Sequence, residues 1–283
     1  MHISPAILGV GIDISKKKFD VAFLSEDHKE HFSFPNSDKG IEALSKKLEL
    51  YSGKIVLEST GRYHLLCAFL LSQKGFDVRV LNPLVSRRYL STKIHNHKTD
   101  KADAALLAEI ALGEKNLPSS FSSSKEDIAV RQKVGLLSSL EKQIQRLEAI
   151  LREYTEFQKN MHIPQDATEI SFIQIAKDLK KKKSLLQKEI EERILQSEEK
   201  KLKSSLLISI PGVSPFVAAL LLQFFDTSLA HPKQWIAYAG MDILARQSGT
   251  WNGRGRLSHR GNPYFRKRFF GAKRKDKFVV TKF

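Results

Sequence analysis

The sequence has a single cysteine, Cys67, and no apolar run long enough to span a membrane. One cysteine excludes an internal disulfide and any cysteine-rich zinc site. The amino terminus also lacks the basic-then-apolar pattern of a signal peptide. We therefore expect a protein of the reducing cytoplasm that has no membrane partner.

Acidic residues are few beside basic ones. The chain has 31 Asp and Glu against 47 Lys and Arg, which gives a formal net charge of +16 and a pI near 9.8. Basic side chains that neutralise phosphates release condensed counterions, so this excess predicts a polyanionic partner. Nucleic acid is the polyanion that the charge favours, and charge alone leaves DNA and RNA open.

Apolar patterning predicts an α/β domain over residues 1–118. The expected strands are residues 7–14, 19–25, 30–34, 54–58 and 77–81, and the expected helices include residues 63–73 and 100–112. Asn36-Ser37-Asp38 offers a helix cap before Ile41, and Thr99 can cap the helix that starts at Asp100. Three strands followed by alternating helix and strand is the order of a ribonuclease-H-like fold.

Long, charged helices are expected over residues 125–203. From Val130 to Tyr154, apolar residues recur at alternating steps of three and four, which is typical of a coiled coil or a long helical hairpin. A break at residues 160–166, which contains Pro164, precedes a second helix. We expect these helices to act as a spacer or a dimerisation arm.

The third predicted domain covers residues 204–283 and is mainly α-helical. Ile208 to Pro215, followed by the helical Phe216 to Phe225, resembles a helix-hairpin-helix turn. In such a turn, backbone amides at a helix start meet a phosphate. Ser214 stands where a second glycine is usual. Beyond Gly240 the chain is rich in Gly, Ser, Arg and Lys.

Four carboxylates are placed to form one acidic centre. Asp13 and Glu58 end the first and fourth predicted strands, and Asp100 and Asp103 share one helix face. The first and fourth strands of a ribonuclease-H-like sheet are neighbours, so these side chains converge. Two Mg²⁺ ions about 3.5–4 Å apart would stabilise the cluster and could activate an oxygen nucleophile on a phosphodiester. Taken singly, each acid is explained better as a helix-start or strand-end residue, and it is their joint placement in a basic chain that favours a metal centre.

A series of short motifs follows along nearly the whole chain, to about Phe270. In the amino-terminal half they are Gly11-Ile-Asp13-Ile-Ser-Lys, Leu57-Glu58-Ser-Thr-Gly, Val80-Leu-Asn-Pro83 and Lys98-Thr-Asp100-Lys-Ala-Asp103. In the carboxy-terminal half they are Ser209-Ile-Pro-Gly-Val213, Ala237-Tyr-Ala-Gly240, Arg246-Gln-Ser-Gly249 and Arg256-Leu-Ser-His-Arg-Gly261. Their sequence and order resemble those of the DEDD transposases of insertion-sequence family one-ten, relatives of the Piv-type DNA invertases.

The resemblance implies a RuvC-like amino-terminal domain, a coiled-coil middle and a carboxy-terminal transposase domain with a catalytic serine. It also implies a bridge RNA that pairs with donor and target DNA. By position, Ser248 matches the serine that attacks a DNA phosphate and holds the cut strand, while the acidic centre supplies metal. Ser258 is the weaker match. Covalent capture conserves the phosphodiester energy for rejoining, so no nucleotide cofactor is needed.

Basic residues are dense around the candidate serine. Arginine forks suit bidentate phosphate contacts, so we expect this group to bind nucleic acid, although a solubilising tail is the alternative. The group consists of Arg246, Arg254, Arg256, Arg260, Arg266, Lys267 and Arg268. Strand exchange needs two cut duplexes, which predicts a homodimer or tetramer. The expected location is the cytoplasm of a prokaryote, in association with the nucleoid.

The segment after Phe270 departs from the family pattern, because it is short and basic and looks truncated. An incomplete domain end would leave the serine poorly organised. Three functions therefore stay open. The first is a recombinase with a serine nucleophile, and the second is a metal-dependent nuclease of the Holliday-junction type in which water attacks. The third is a catalytically inactive, truncated remnant that binds nucleic acid.

Overall fold

The computed structural model describes residues 7–26, 28–59, 61–91, 99–224, 231–248 and 251–258, together with Arg266 and Arg268. Contacts within the chain divide it into two units, residues 1–128 and 129–283. The finer division into three domains stays a prediction. No helix among the described residues is long and apolar enough to cross a membrane.

The first unit is built on a five-stranded sheet. Its elements are β1 (Gly9–Ile14), β2 (Lys18–Leu24), β3 (Lys29–Pro35), α1 (Asp38–Lys47), β4 (Lys54–Glu58), α2 (His64–Gln73), β5 (Asp77–Leu81), α3 (Pro83–Ser91) and α4 (Asp100–Gly113). The strand order is β3-β2-β1-β4-β5, with β1 to β3 antiparallel and β4 and β5 parallel to β1. The prediction that the first and fourth strands are neighbours is confirmed, and the mixed sheet is consistent with a RuvC-like domain.

Side chains of each strand alternate between the two faces of this sheet. Ile12 and Leu57 point into a core shared with α1 and α2, whereas Val56 packs with residues of α4. Helix α4 lies directly on β1, and a Cβ added at Gly11 would lie 2.2 Å from the backbone oxygen of Ala104. Glycine is required at this position, because any side chain would push α4 away from the sheet.

Side-chain caps start two of these helices, one within the predicted segment 36–38 and one at the predicted Thr99. The Ser37 hydroxyl accepts a hydrogen bond from the Gly40 amide, and Thr99 accepts one from the Ala102 amide at 3.1 Å. Helix α3 was not predicted, because Asn82-Pro83 comes directly after the predicted strand 77–81 and is typical of a strand end. Proline suits the first position of a helix, because its fixed φ is already helical and it lacks only an amide that the helix leaves unpaired.

The described residues of the second unit form long helices and a β-hairpin. Its elements are α5 (Lys125–Met161, which begins in the first unit), α6 (Ala167–Ile194), α7 (Glu198–Ile208), α8 (Pro215–Phe224), α9 (Pro232–Tyr238), β6 (Ile243–Ser248) and β7 (Trp251–Leu257). Gly212 has a φ of 86° in the turn between α7 and α8, a conformation that favours glycine. The Ser214 hydroxyl accepts a hydrogen bond from the Val217 amide at the start of α8.

Helices α5 and α6 form an antiparallel hairpin. Lys133 of α5 contacts Glu189 of α6 at 2.9 Å, and Thr155, further along α5, donates to Glu169 near the start of α6 at 2.9 Å. The helical-hairpin alternative from the sequence is therefore observed. One part of the predicted seam is wrong, because Tyr154 is 50% exposed.

The buried face of α5 includes two polar residues. Glu141 and Gln158 are buried, beside Val134, Leu137 and Ile144. The period of the pattern and four of its positions, Val130, Val134, Leu137 and Ile144, are confirmed as buried. Residues of α6 and α8 pack against this face of α5.

The antiparallel pair β6–β7 was not predicted from the sequence. Its Arg- and Gly-rich strands carry few of the β-branched residues that signal a strand. Ser248 pairs with Trp251 at the end of β6, and the register shifts between Leu244 and Arg246, which marks a β-bulge or similar irregularity. The described part of residues 204–283 is thus helical with an added hairpin.

Candidate functional site

Asp13 and Glu58 lie at the same edge of the sheet. β1 and β4 are parallel, and Ile12 is paired with Leu57, so the next residue of each strand is the acidic one. Asp13 is two positions from Gly11 on β1, and Glu58 is two positions from Val56 on β4. Residues two apart on a strand share a sheet face, so both acids lie on the face that α4 covers. The sheet topology brings together two carboxylates that are 45 positions apart in the sequence.

Helix α4 adds the other two predicted acids. Asp100 and Asp103 both lie in its first turn, which begins at the Thr99 cap. Burial, followed by the negative charges of Asp103, Asp100 and Glu58, raises the pKa of Asp13 from 3.8 to about 6. The structure therefore brings all four predicted carboxylates into one electrostatically coupled group.

A fifth carboxylate, Asp20, was missed by the sequence analysis. It lies on β2 directly opposite Asp13, is only 7% exposed, and is a further negative charge that raises the Asp13 pKa. Its partner is Lys18, whose Nζ lies 2.8 Å from Asp20 Oδ2 and 3.0 Å from Asp100 Oδ2. The available signal was the short β1–β2 connection, which fixes Asp20 across from Asp13.

Glu58 has a neighbour that the sequence analysis also missed. Ser86, on α3, is 2% exposed, and its hydroxyl lies 2.6 Å from Glu58 Oε2 and 3.1 Å from the carbonyl oxygen of Pro83. The shorter contact makes Glu58 the main acceptor of the hydroxyl hydrogen. Such a bond restricts the carboxylate to one orientation.

The chemistry of the donor set fits a hard divalent cation. All of the donors are carboxylate oxygens, which Mg²⁺ prefers, and their mutual repulsion would be relieved by a bound cation. A cationic group already lies among them, because the Lys18 ammonium touches both Asp20 and Asp100. Among the described residues, no three Asp, Glu, His or Cys side chains converge closely enough to hold one ion. Metal ligation by Asp13, Glu58, Asp100 and Asp103 remains a prediction.

Ser248 and Ser258 lie at opposite ends of the β6–β7 hairpin. Ser248 ends β6, and residues 249 and 250, which join the strands, lie outside the described residues. Ser258 follows β7, and its hydroxyl donates to the Asp242 carboxylate while its amide donates to the Asp242 carbonyl oxygen. These two bonds close the base of the hairpin, which gives Ser258 a structural role.

The predicted nucleic-acid contacts lie in different settings. Arg246 and Arg254 are on the hairpin strands, and Arg256 is exposed on β7, while Arg260 and Lys267 lie outside the described residues. Arg266 Nη1 donates to the carbonyl oxygen of Ala239 at 3.2 Å.

Arg268 has a partner inside the second unit. Its guanidinium donates to the buried Glu141 carboxylate and lies over the Phe216 ring, 5.2 Å from the ring centroid. These contacts give Arg268 a structural role, and its contact with nucleic acid stays a prediction. The fixed attachment of Arg268 ties the end of the described chain to α5 and α8.

Comparison with known proteins identifies two family matches. Residues 10–156, just over half of the chain, match the DEDD transposases of IS110 elements, and residues 204–276 match transposases of the IS116/IS110/IS902 family. The chain is also similar to the pilin gene-inverting proteins of Moraxella lacunata, at 25% identity, and Moraxella bovis, at 26% identity. Each alignment spans 253 residues, which is 85% of this chain and 73% of the relative.

Proposed function

Because the chain belongs to the DEDD transposases of IS110 elements, we propose that it cuts and rejoins DNA as a transposase or site-specific recombinase. The observation that carries the proposal is the electrostatic coupling of Asp13 to Glu58, Asp100 and Asp103 at one sheet edge. Its similarity to proteins named for inverting a pilin gene supports a reaction that rearranges DNA.

The proposal assigns metal binding to the first unit. Two Mg²⁺ ions would be held by the four carboxylates of Asp13, Glu58, Asp100 and Asp103. When bound, such ions activate an oxygen nucleophile and stabilise the leaving oxygen of a phosphodiester. The Ser86 hydrogen bond to Glu58 supports this assignment, because it holds one of these carboxylates in a fixed orientation.

The proposal assigns the nucleophile to Ser248 in the second unit. Its hydroxyl oxygen attacks a DNA phosphate, so that a bond from phosphorus to serine oxygen forms as the bond to a deoxyribose oxygen breaks. The proton that serine loses is balanced by the proton that the released deoxyribose oxygen gains, which leaves a DNA hydroxyl. The reverse reaction with a second DNA end regenerates serine and rejoins the strand, which requires no nucleotide cofactor.

The basic residues of the second unit would bind the nucleic-acid partners. We propose donor DNA, target DNA and a bridge RNA as these partners, and a homodimer or tetramer as the working assembly. The net charge of +16 and the exposed Arg256 on β7 support a polyanionic partner.

Capture of a covalent protein–DNA adduct tests the nucleophile. With Mg²⁺ and element-junction DNA, the wild-type chain should give an adduct that survives denaturing electrophoresis. Ser248→Ala and Asp13→Asn should abolish it. Ser258→Ala is the matched control, because that serine closes the hairpin base, and it should retain the adduct.

The same assay separates the alternative functions. Cleavage that persists in Ser248→Ala and yields no adduct would identify a metal-dependent nuclease of the Holliday-junction type. Salt-sensitive DNA binding by the wild-type chain, with neither cleavage nor adduct at any Mg²⁺ concentration, would identify an inactive nucleic-acid-binding remnant.

A further inference from the structure

Lys18 connects two elements that carry carboxylates. It is the first residue of β2, and its Nζ lies 2.8 Å from Asp20 Oδ2 on the same strand. The same nitrogen lies 3.0 Å from Asp100 Oδ2, in the first turn of α4. One ammonium group thus spans the strand and the helix beside Asp13.

The two partners of Lys18 differ in their surroundings. The Asp20 side chain is 10% exposed and is fixed on a central strand opposite Asp13, whereas the Asp100 side chain is 59% exposed. Exposed ion pairs are weak, because water screens them and the long side chain loses freedom when it pairs. The contact with Asp100 is therefore the one that opens more easily, and Asp20 is the anchor.

We propose that Lys18 is a built-in counter-ion of the acidic edge, the group formed by Asp13, Glu58, Asp100 and Asp103. Asp20 anchors Lys18, and Lys18 must release Asp100 before a divalent cation binds there. This inference rests on the proposed function, because it concerns the same carboxylates. A divalent ion carries twice the charge of the ammonium and accepts oxygen lone pairs directly, so it displaces Lys18 from Asp100. Competition from Lys18 then sets how much free Mg²⁺ the protein needs.

Magnesium titration of the full chain by calorimetry, without DNA, tests this competition. Lys18→Gln keeps much of the side-chain length but loses the charge, and it should tighten Mg²⁺ binding by about tenfold. Lys16→Gln and Lys17→Gln are matched controls, since both residues are exposed in the same turn. Each control should change the affinity by about twofold or less, because salt screens charges that make no direct contact.

A conservative variant checks that pairing is the cause. Lys18→Arg retains a positive charge that can reach both carboxylates, so its Mg²⁺ affinity should stay within about threefold of the wild type. If Lys18→Arg tightens binding as much as Lys18→Gln, competition by the ion pair is not the mechanism. Unfolding temperatures measured in chelator show whether each variant is folded.

The role of Asp20 is tested in the absence of its partner. In the Lys18→Gln background, Asp20→Asn should lower the Mg²⁺ affinity by about threefold or less, because Asp20 then acts on the site only through its charge and no longer as an anchor. A further loss of about tenfold or more would make Asp20 a metal ligand and would overturn its role as an anchor.

A final variant separates failure of this inference from failure of the proposed function. Asp13→Asn should abolish Mg²⁺ binding in both the wild-type and the Lys18→Gln chains. If it does so, and Lys18→Gln binds Mg²⁺ no more tightly than the two lysine controls, only the counter-ion role is wrong. If Mg²⁺ binding survives Asp13→Asn, the metal centre itself is wrong, and the counter-ion role fails with it.

Discussion

The residues of the acidic edge differ in how firmly each is held. Asp13 is half-buried among negative charges, Glu58 is bound by the Ser86 hydroxyl, and Asp100 is exposed and paired with Lys18. Buried, hydrogen-bonded carboxylates have fewer accessible orientations than exposed ones. Asp13 and Glu58 therefore form the fixed part of the group, and Asp100 is its adjustable member.

Ser86 can be tested as a residue that positions Glu58. Ser86→Ala removes the 2.6 Å contact with Glu58 Oε2, and we expect Mg²⁺ affinity to fall by about tenfold, as is usual when a partner of a ligand is lost. Calorimetric titration measures the change. Ser72→Ala is the control, because Ser72 donates only to the Phe69 carbonyl oxygen on α2. Equal effects of the two substitutions would contradict the role of Ser86.

The raised pKa of Asp13 predicts how Mg²⁺ binding depends on pH. The metal binds the carboxylate, so below the folded pKa of about 6 it must displace a proton, and its affinity falls. The apparent affinity should therefore rise from about pH 5 to about pH 7 and level off above that range. A titration series across this range measures the effect. A flat profile for the wild-type chain would show that Asp13 is not a ligand.

Residue roles were predictable where their signals are local. Asp13 and Glu58 end strands and Asp100 follows a helix cap, so short segments sufficed to identify them. Asp20 depends on the register between β1 and β2, which single residues do not reveal. Ser86 lies on a helix that was not predicted, so its contact with Glu58 could not be inferred.

Among the elements, α4 has the strongest effect on the site, because it supplies two carboxylates and lies directly on β1. An added Cβ at Gly11 would lie 2.2 Å from the oxygen of Ala104 and 2.2 Å from the nitrogen of Ala108. Both atoms belong to the backbone and cannot rotate away. The spacing between Asp13 and the first turn of α4 is therefore set by main-chain packing.

Gly11→Ala should disturb both the fold and the site. We expect a loss of about 2 kcal/mol or more in the free energy of unfolding, since the methyl group meets rigid backbone. Mg²⁺ affinity should fall with it, because α4 moves. Urea unfolding and calorimetry measure the two effects. Gly135→Ala on α5 is the control, because its Cβ meets nothing within 4 Å, and it should stabilise the chain by about 0.5–1 kcal/mol.

The buried pair of Glu141 and Arg268 should stabilise the second unit. Glu141→Ala breaks this pair by removing the buried carboxylate that the Arg268 guanidinium contacts, which typically costs about 3–5 kcal/mol. Urea unfolding measures this loss. Glu148→Ala removes the partly exposed pair with Lys180 and should cost about 1 kcal/mol or less. If both substitutions lower the free energy of unfolding equally, the Glu141–Arg268 pair does not stabilise the second unit.

The assignment of segments to helix or strand was predicted better than the face that each element buries. The first five strands and the long helices follow from apolar period, and their observed ends differ from the predicted ones by at most a few residues. The burial of Glu141 on α5 was not predictable, because its partner Arg268 lies 127 positions away in the sequence. The β6–β7 hairpin was missed because cross-strand pairing, rather than composition, holds its arginine-rich strands together.

Over the whole molecule, the net charge of +16 predicts steep salt dependence of DNA binding. Each phosphate contact contributes about 0.9 to the slope of log affinity against log salt concentration. Arg256→Gln should lower that slope by about 0.9 and weaken binding to all sequences similarly. Fluorescence anisotropy at several salt concentrations measures it. Lys203→Gln on α7, where Lys203 pairs with Glu199, is the control and should leave the slope unchanged.

The direct seating of α4 on β1 also bears on how the protein responds to heat. Where a layer of side chains separates two elements, warming loosens their spacing gradually as rotamers are populated. At Gly11 no such layer exists, because backbone meets backbone. The gap between Asp13 and the first turn of α4 should therefore hold nearly constant on warming and be lost abruptly, when the sheet itself melts.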